Sequence, residues 1–289
     1  MEALQKKWIV ACVDGSKISE AVVDYAAWAA KKVGSPLELV HAIEHSQLLE
    51  HTSRSGNLTP NMQETLMDTL SEDEASESKR LIEEGKAMLA VAKAQISEPS
   101  AISEIATKQR HGALSVALKD LEDEIRILVL GVRGEAHDDD VSAIGGQLEE
   151  TVRALHRPTL IVNGPFAEPK SMMLAINDTD GAQKALQMVA QSPLCREMDV
   201  HLVTVNDDVA KGESILATAA VVLEQAGFEP KRQVLMGDAQ AGLMAYQADH
   251  NIDLIAMGAF SHGKLRNLFF GSFTLKMFKS AIKPILLLR

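Results

Sequence analysis

The sequence of 289 residues predicts an α/β protein built twice over, two tandem domains in which a parallel sheet carries helices on both faces. Three observations lead there. Short apolar runs alternate with helix-period segments along the chain, the order that builds βα units and a parallel sheet. Two of those runs, Ile127-Leu128-Val129-Leu130 and Leu254-Ile255-Ala256-Met257, open directly into loops of small residues. The segment closing each half also recurs. Gly145-Gly146 with Arg157-Pro158-Thr159-Leu160-Ile161-Val162 lies over Gly271-Ser272 with Lys283-Pro284-Ile285-Leu286-Leu287-Leu288, and the Pro stands thirteen positions after the first Gly in both.

The elements follow in order. Trp8-Ile9-Val10-Ala11-Cys12-Val13 is a nearly unbroken apolar run, the mark of a strand covered on both faces, and Asp14-Gly15-Ser16 turns the chain into a helix over 18–33. Leu37–Ile43 gives a second strand, 46–61 reads as loop, and 62–95 is a long acidic helix with apolar residues at Leu66, Leu70, Leu81, Met88 and Leu89. A weaker strand at 101–107, a helix over 111–120, a strong strand at 125–131, a helix over 146–156 and the strand Thr159–Val162 complete the first half. The Pro and Gly density of Asn163–Lys170 marks a linker, which sets domains of 1–165 and 166–289. The cycle restarts at Met172–Ile176, with strands at 199–205, 231–236, 252–258 and 284–288 and helices over 181–191, 212–226, 239–249 and 272–281.

Composition narrows the partners. With 29 basic against 40 acidic residues the net charge is −11, which disfavours nucleic acid and anionic membrane surfaces, because both call for clustered Lys and Arg. Cys12 and Cys195 have neither metal nor disulfide-framework spacing, which suits a reducing compartment. No apolar run approaches the roughly 18 residues of a membrane span. The start, Met1-Glu2-Ala3-Leu4-Gln5-Lys6-Lys7, leads into a strand rather than a signal segment, so the expected location is the cytoplasm.

The chemistry concentrates in the loops after the two strong strands. Residues 258–272 run from Gly258 through Ser261-His262-Gly263-Lys264 to Gly271-Ser272, where a helix begins. Small residues expose backbone N–H groups, a helix start adds a positive dipole end, and Ser272 adds a hydroxyl, together an anion cradle. The plain alternative is a tight turn followed by a Ser N-cap. His262 and Lys264 lie where a cation can reach a phosphate, although loop charges are commonly just solvated. Gly258-x4-Gly263-Lys264 imitates a P-loop, but Leu265 follows where that motif needs a hydroxyl for magnesium, so the match reads as coincidence. His41, His45 and His51 lack ligand spacing, and His137-Asp138-Asp139-Asp140 reads as a solvated loop tip.

These residues resemble the universal stress protein family, whose nucleotide-binding members carry Gly-x2-Gly-x9-Gly-Ser/Thr after strand 4 and an Asp ending strand 1. The resemblance covers 8–163 and 171–289 and includes the Arg/Lys-Pro before each closing strand. It implies two flavodoxin-like, five-stranded parallel sheets, each binding ATP or another adenine nucleotide, with or without Mg2+, in the crevice at the strand ends. It also implies an internal pseudo-dimer formed by pairing 159–163 with 284–288, and a further homodimer or protein partners. In the second half it points to Asn177, Val205, Met257, Gly258, Ser261, His262, Gly263, Lys264, Gly271, Ser272 and Phe273, and in the first to Asp14, Gly131, Gly134 and Gly145.

Each half departs from the pattern. The second keeps the spacing Gly258-x2-Ser261-x9-Gly271-Ser272 but has Ser261 for the second Gly and Asn177 for Asp. Asn177 retains a carbonyl acceptor for a ribose hydroxyl and loses the charge. The first keeps Asp14 and Gly131-x2-Gly134, but ten residues separate Gly134 from Gly145, and Gly146 replaces the hydroxyl residue. Glu135, Asp138, Asp139 and Asp140 fall in that loop and would repel a triphosphate by about 1 kcal/mol per close pair in water-like screening. The second half is therefore the expected site. With no nucleophile and base paired in the motif, the sequence favours a nucleotide-binding signalling module of the stress response. A slow ATP hydrolase or phosphotransferase using His262 and Ser272 with magnesium, and a scaffold with eroded sites, are the alternatives.

Overall fold

A computed structural model of the chain describes residues 7–43, 60–133, 146–258 and 272–289, with backbone alone for 60–75 and 272. The first half contributes β1 (Trp8–Cys12), α1 (Ser19–Val33), β2 (Leu37–Ile43), α2 (Pro60–Ala94), β3 (Ile105–His111), α3 (Leu114–Lys119), β4 (Ile125–Gly131), α4 (Gly146–Ala154) and β5 (Thr159–Val162). The second repeats the order with β6 (Ser171–Ala175), α5 (Asp180–Gln191), β7 (Asp199–Val205), α6 (Val209–Gln225), β8 (Lys231–Leu235), α7 (Ala239–Asp249), β9 (Leu254–Gly258), α8 (Ser272–Ser280) and β10 (Ile285–Leu288).

The ten strands form one sheet in the order β3-β2-β1-β4-β5-β10-β9-β6-β7-β8. Each half is parallel within itself, and among the described residues the sheet passes from one half to the other through one antiparallel pair, with Ile285 opposite Ile161, Leu286 opposite Leu160 and Leu287 opposite Thr159. This is the pairing of closing strands expected above. It turns one half around relative to the other, so the carboxyl ends of the two parallel sets point in opposite directions. The helices cover both faces, and each face has a core drawn from both halves. One core gathers α1, α2, α5 and α6 around Leu39, Leu160, Leu174 and Leu286. The other gathers α3, α4, α7 and α8 around Leu128, Ile161, Met173 and Ile285.

Local sequence explains most boundaries. Gly34 ends α1 in the left-handed conformation at φ +64°, and its N–H bonds back to Ala30 and Lys31. Thr179, Asp208 and Asp238 cap α5, α6 and α7, each accepting an N–H from three residues on. The expected strand at 101–107 lies later, at Ile105–His111. Pro99–Ala101 form a 3-10 turn and Ile102 is a buried anchor, while the strand itself reads Ile-Ala-Thr-Lys-Gln-Arg-His because an edge strand shows much of itself to water. The helix expected over 111–120 accordingly shortens to Leu114–Lys119, with Gly112 at φ +96° closing the strand before it.

The linker packs as part of the fold. Phe166 meets the Tyr25 ring edge-on at 4.8 Å, Tyr25 donates its hydroxyl to the Ala167 carbonyl at 3.3 Å, and Asn163 Nδ2 donates to the Ala281 carbonyl at 2.5 Å.

Candidate nucleotide site

The carboxyl ends of β6 and β7 open on a cavity of about 240 Å3 lined by Ala175, Ile176, Asn177, Val203, Val205, Ala239, Leu243 and Phe273. β6 lies between β9 and β7, so the chain leaves it in one direction and returns on the other side, the switch point where open α/β sheets bind ligands. The walls are apolar because Val203 and Val205, two residues apart on β7, face the same side, with Leu243 of α7 and Phe273 of α8 across from them. Asn177 supplies the polar group.

Asn177 is held by its own turn. Its Oδ1 accepts from Thr179 N at 3.1 Å and Thr179 Oγ1 at 2.6 Å, and Thr179 Oγ1 in turn accepts from Ala182 N at 3.3 Å to cap α5. The side-chain amide therefore has a fixed direction before any ligand arrives. Gly258 closes the same corner. A Cβ there would stand 2.7 Å from the Gly181 carbonyl oxygen, so only glycine lets β9 end against the first turn of α5. Met257 sits beside Ala175 in register but is fully buried in the α7–α8 core and does not line the cavity. Ser272 begins α8. Ser261, His262, Gly263, Lys264 and Gly271 lie outside the described residues.

The rim is acidic, and its carboxylates are engaged. Asp178 pairs with Lys211 Nζ at 2.8 Å, which holds its carboxyl below the usual range, and Asp207 accepts from Gly237 N at 2.9 Å. Asp208 and Asp238 cap helices, as described.

The first half repeats the corner with a different filling. Asp14 Oδ1 accepts from Ser16 N at 3.1 Å and Ser16 Oγ at 2.6 Å, the geometry of Asn177 with Thr179, and also from Ser19 Oγ at 2.8 Å. Ser16 does not cap the helix that follows. Instead α1 begins at Ser19 behind Ile18 with no side-chain cap, because the Ser16 hydroxyl is turned to Asp14. Gly15 takes φ +81°, and a Cβ on it would reach within 2.9 Å of Met88 Cε, so α2 presses on this turn. Gly131 is crowded by Ile18, whose Cγ2 would be 2.5 Å from an added Cβ. Gly134 and Gly145 lie outside the described residues. His41 is occupied structurally, its Nδ1 at 2.8 Å from the Val13 carbonyl.

The sequence missed Ala175, Ile176, Val203, Ala239 and Leu243. Ala175 and Val203 could have been found as the same-face neighbours, two residues back, of Asn177 and Val205, but the helix residues depend on how α7 packs. No three His, Cys, Asp or Glu side chains among the described residues are placed to hold a metal ion.

With this geometry in hand, the chain can be set beside known proteins. The sequence model of the universal stress protein family matches residues 7–163 and again 169–289. The chain belongs to the universal stress protein family. A universal stress protein of Synechocystis is 30% identical over 287 residues, covering 98% of this chain and all of that one. Among solved structures, a universal stress protein of Archaeoglobus fulgidus superposes with a TM-score of 0.70 at 17% identity, covering 99% of each chain. A putative universal stress protein of Pseudomonas aeruginosa gives 0.61 at 12% identity over 98% of this chain and 93% of that one. These two structures support the tandem flavodoxin-like fold. No helix among the described residues is long and apolar enough to cross a membrane.

Proposed function

We propose that this universal stress protein is a cytoplasmic stress-response module that binds ATP or a related adenine nucleotide in its second half and signals through occupancy. The observation that carries the reading is the apolar cavity at the β6 switch point with Asn177 fixed at its edge. At about 240 Å3 it suits a planar base rather than a whole nucleotide, which leaves ribose beside Asn177 and phosphates toward the Gly-Ser start of α8. Asn177 accepts or donates a hydrogen bond to a ribose hydroxyl without adding charge. Among the described residues no nucleophile stands beside a general base at this cavity, which supports binding over turnover. In the first half, Met88 against Gly15 and the acidic loop sequence 135–140 both weigh against an equivalent site.

Calorimetric titration with Mg-ATP tests the reading, on the wild type and on Gly271→Ala/Ser272→Ala. One site per chain, lost in the double variant, is expected. No heat, with no nucleotide retained through purification, would leave a scaffold with eroded loops. Release of ADP at ordinary enzyme rates would overturn the occupancy mechanism.

A further inference from the structure

A second cavity, of about 240 Å3, lies where the two halves meet, on the α1–α5 side of the sheet. Its floor is Ile127, Leu286 and Leu288, its wall is Met188 and Val189 of α5, and Arg126 stands in its lining. It is far from the crevice described above: it abuts the end of α5, whereas Asn177 precedes the start of that helix.

The internal repeat shows what such a place accommodates. The repeat matches Met188 to Tyr25, Leu286 and Leu288 to Leu160 and Val162, and Arg126 to Asp253. Around Tyr25 and Asp253 the groove is filled by the linker. Phe166 packs on Tyr25, and the Asp253 carboxylate receives the N–H groups of Lys170 and Ser171 at 3.0 and 3.2 Å. An apolar group thus lies next to a polar anchor of opposite character to the side chain below it. In the other groove no described segment plays that part, and the anchor is inverted to a cation. Arg126 Nη1 donates to the Val33 carbonyl and Ser35 Oγ, both at 3.0 Å. No carboxylate among the described residues pairs with it, which leaves the rest of its donor fork for a partner.

We propose that this interdomain cavity binds a small amphipathic monocarboxylate, its carboxylate on Arg126 and its aliphatic chain between α5 and the closing strand β10. The charge follows from the fork geometry that matches Arg to carboxylate. The length follows from the volume, since 240 Å3 holds roughly eight groups of water or methylene size at ~30 Å3 each. Because β10 is half of the seam between the domains, an occupant there contacts both halves at once.

Octanoate, titrated calorimetrically into the full chain with octanol as the uncharged control, is the probe. Octanoate is expected to bind the wild type at least tenfold more tightly than octanol. Arg126→Gln should remove that preference while leaving octanol binding unchanged, and Met188→Trp, which sets a bulky ring where the aliphatic chain would lie between α5 and β10, should abolish both. Mg-ATP binding should stay as in the wild type in either variant. Equal affinity for octanoate and octanol, no octanoate heat at millimolar concentration, or octanoate binding that survives Met188→Trp would each overturn the proposal. Should Arg126→Gln fail to fold, the wild-type comparison and Met188→Trp still decide it.

Discussion

Gly258 ends β9 so close to Gly181 that a Cβ on it would fall 2.7 Å from the Gly181 carbonyl oxygen and 2.8 Å from its carbonyl carbon. Both obstacles are backbone, which cannot swing away as a side chain can. Gly258→Ala should therefore push α5 off the strand end, at a cost of about 1–3 kcal/mol for an overpacked site. Thermal unfolding would show a midpoint several degrees lower, and Mg-ATP affinity should fall with it because Asn177 rides on the same turn. Gly131→Ala meets chiefly the Ile18 side chain, so pairing it with Ile18→Ala should recover much of its loss.

Asn177→Asp is expected to fold as well as the wild type. Asp14 already makes the same pair of contacts in the first half, 3.1 Å to a backbone N–H and 2.6 Å to a hydroxyl, as Asn177 makes with Thr179. The substitution restores a charged acceptor for the ribose and should raise Mg-ATP affinity in a titration. Asn177→Ala, by contrast, leaves the Thr179 groups without their acceptor and should cost about 1 kcal/mol of stability together with ligand affinity.

Acid should weaken the second half through His201. This buried imidazole has Nδ1 at 2.8 Å from the Tyr246 hydroxyl, and Lys231 of β8 and His250, just past the end of α7, lie beside it, with Asp199 further along β7. Burial, then Lys231 and His250, hold its pKa below the ordinary value, against a smaller upward pull from Asp199. The unfolded histidine titrates near ~6.5, so the stability from keeping His201 neutral is whole above that pH and is lost as pH falls through the lower folded value. Urea midpoints measured from pH 8 down to pH 5 should fall more steeply for the wild type than for His201→Gln. Parallel curves would remove His201 from the account.

The seam should not tolerate charge. Leu286 is 3% exposed opposite Leu160 at 0%, and Leu286→Asp would bury a carboxylate with no partner. A loss of more than ~3 kcal/mol is expected. Calorimetry should then show the halves unfolding separately or the whole chain failing to fold, where the wild type is expected to melt in one transition.

Neither thiol should react in the native state. Cys195 is buried and its pKa is pushed up to about 12, chiefly by desolvation, and burial also raises that of Cys12. Ellman's reagent should find no fast thiol in the folded protein and both after denaturation.

Alternating apolar runs and helix-period segments were enough to place nine of the ten strands within a few residues, because strands buried on both faces leave continuous apolar stretches. β3 escaped for the same reason in reverse: an edge strand with Lys108, Arg110 and His111 carries little apolar signal, and its position is set by register with β2. The candidate site divides likewise. Asn177, Val205 and Phe273 were pointed to by the family resemblance, whereas Ala239 and Leu243 reach the cavity through the packing of α7, and Met257 lies in the core.

The sequence by itself determined the two βαβ series, their repetition and the glycines at the strand ends, since each is written in local periodicity and in residues that only certain backbone geometries accept. Tertiary structure alone decided that the linker lies against Tyr25 and Asp253, that Met88 presses on the first-half turn, and that Arg126 lines a cavity between the halves. Those relations join residues far apart in the chain, and no local pattern carries a contact that only the closed sheet creates.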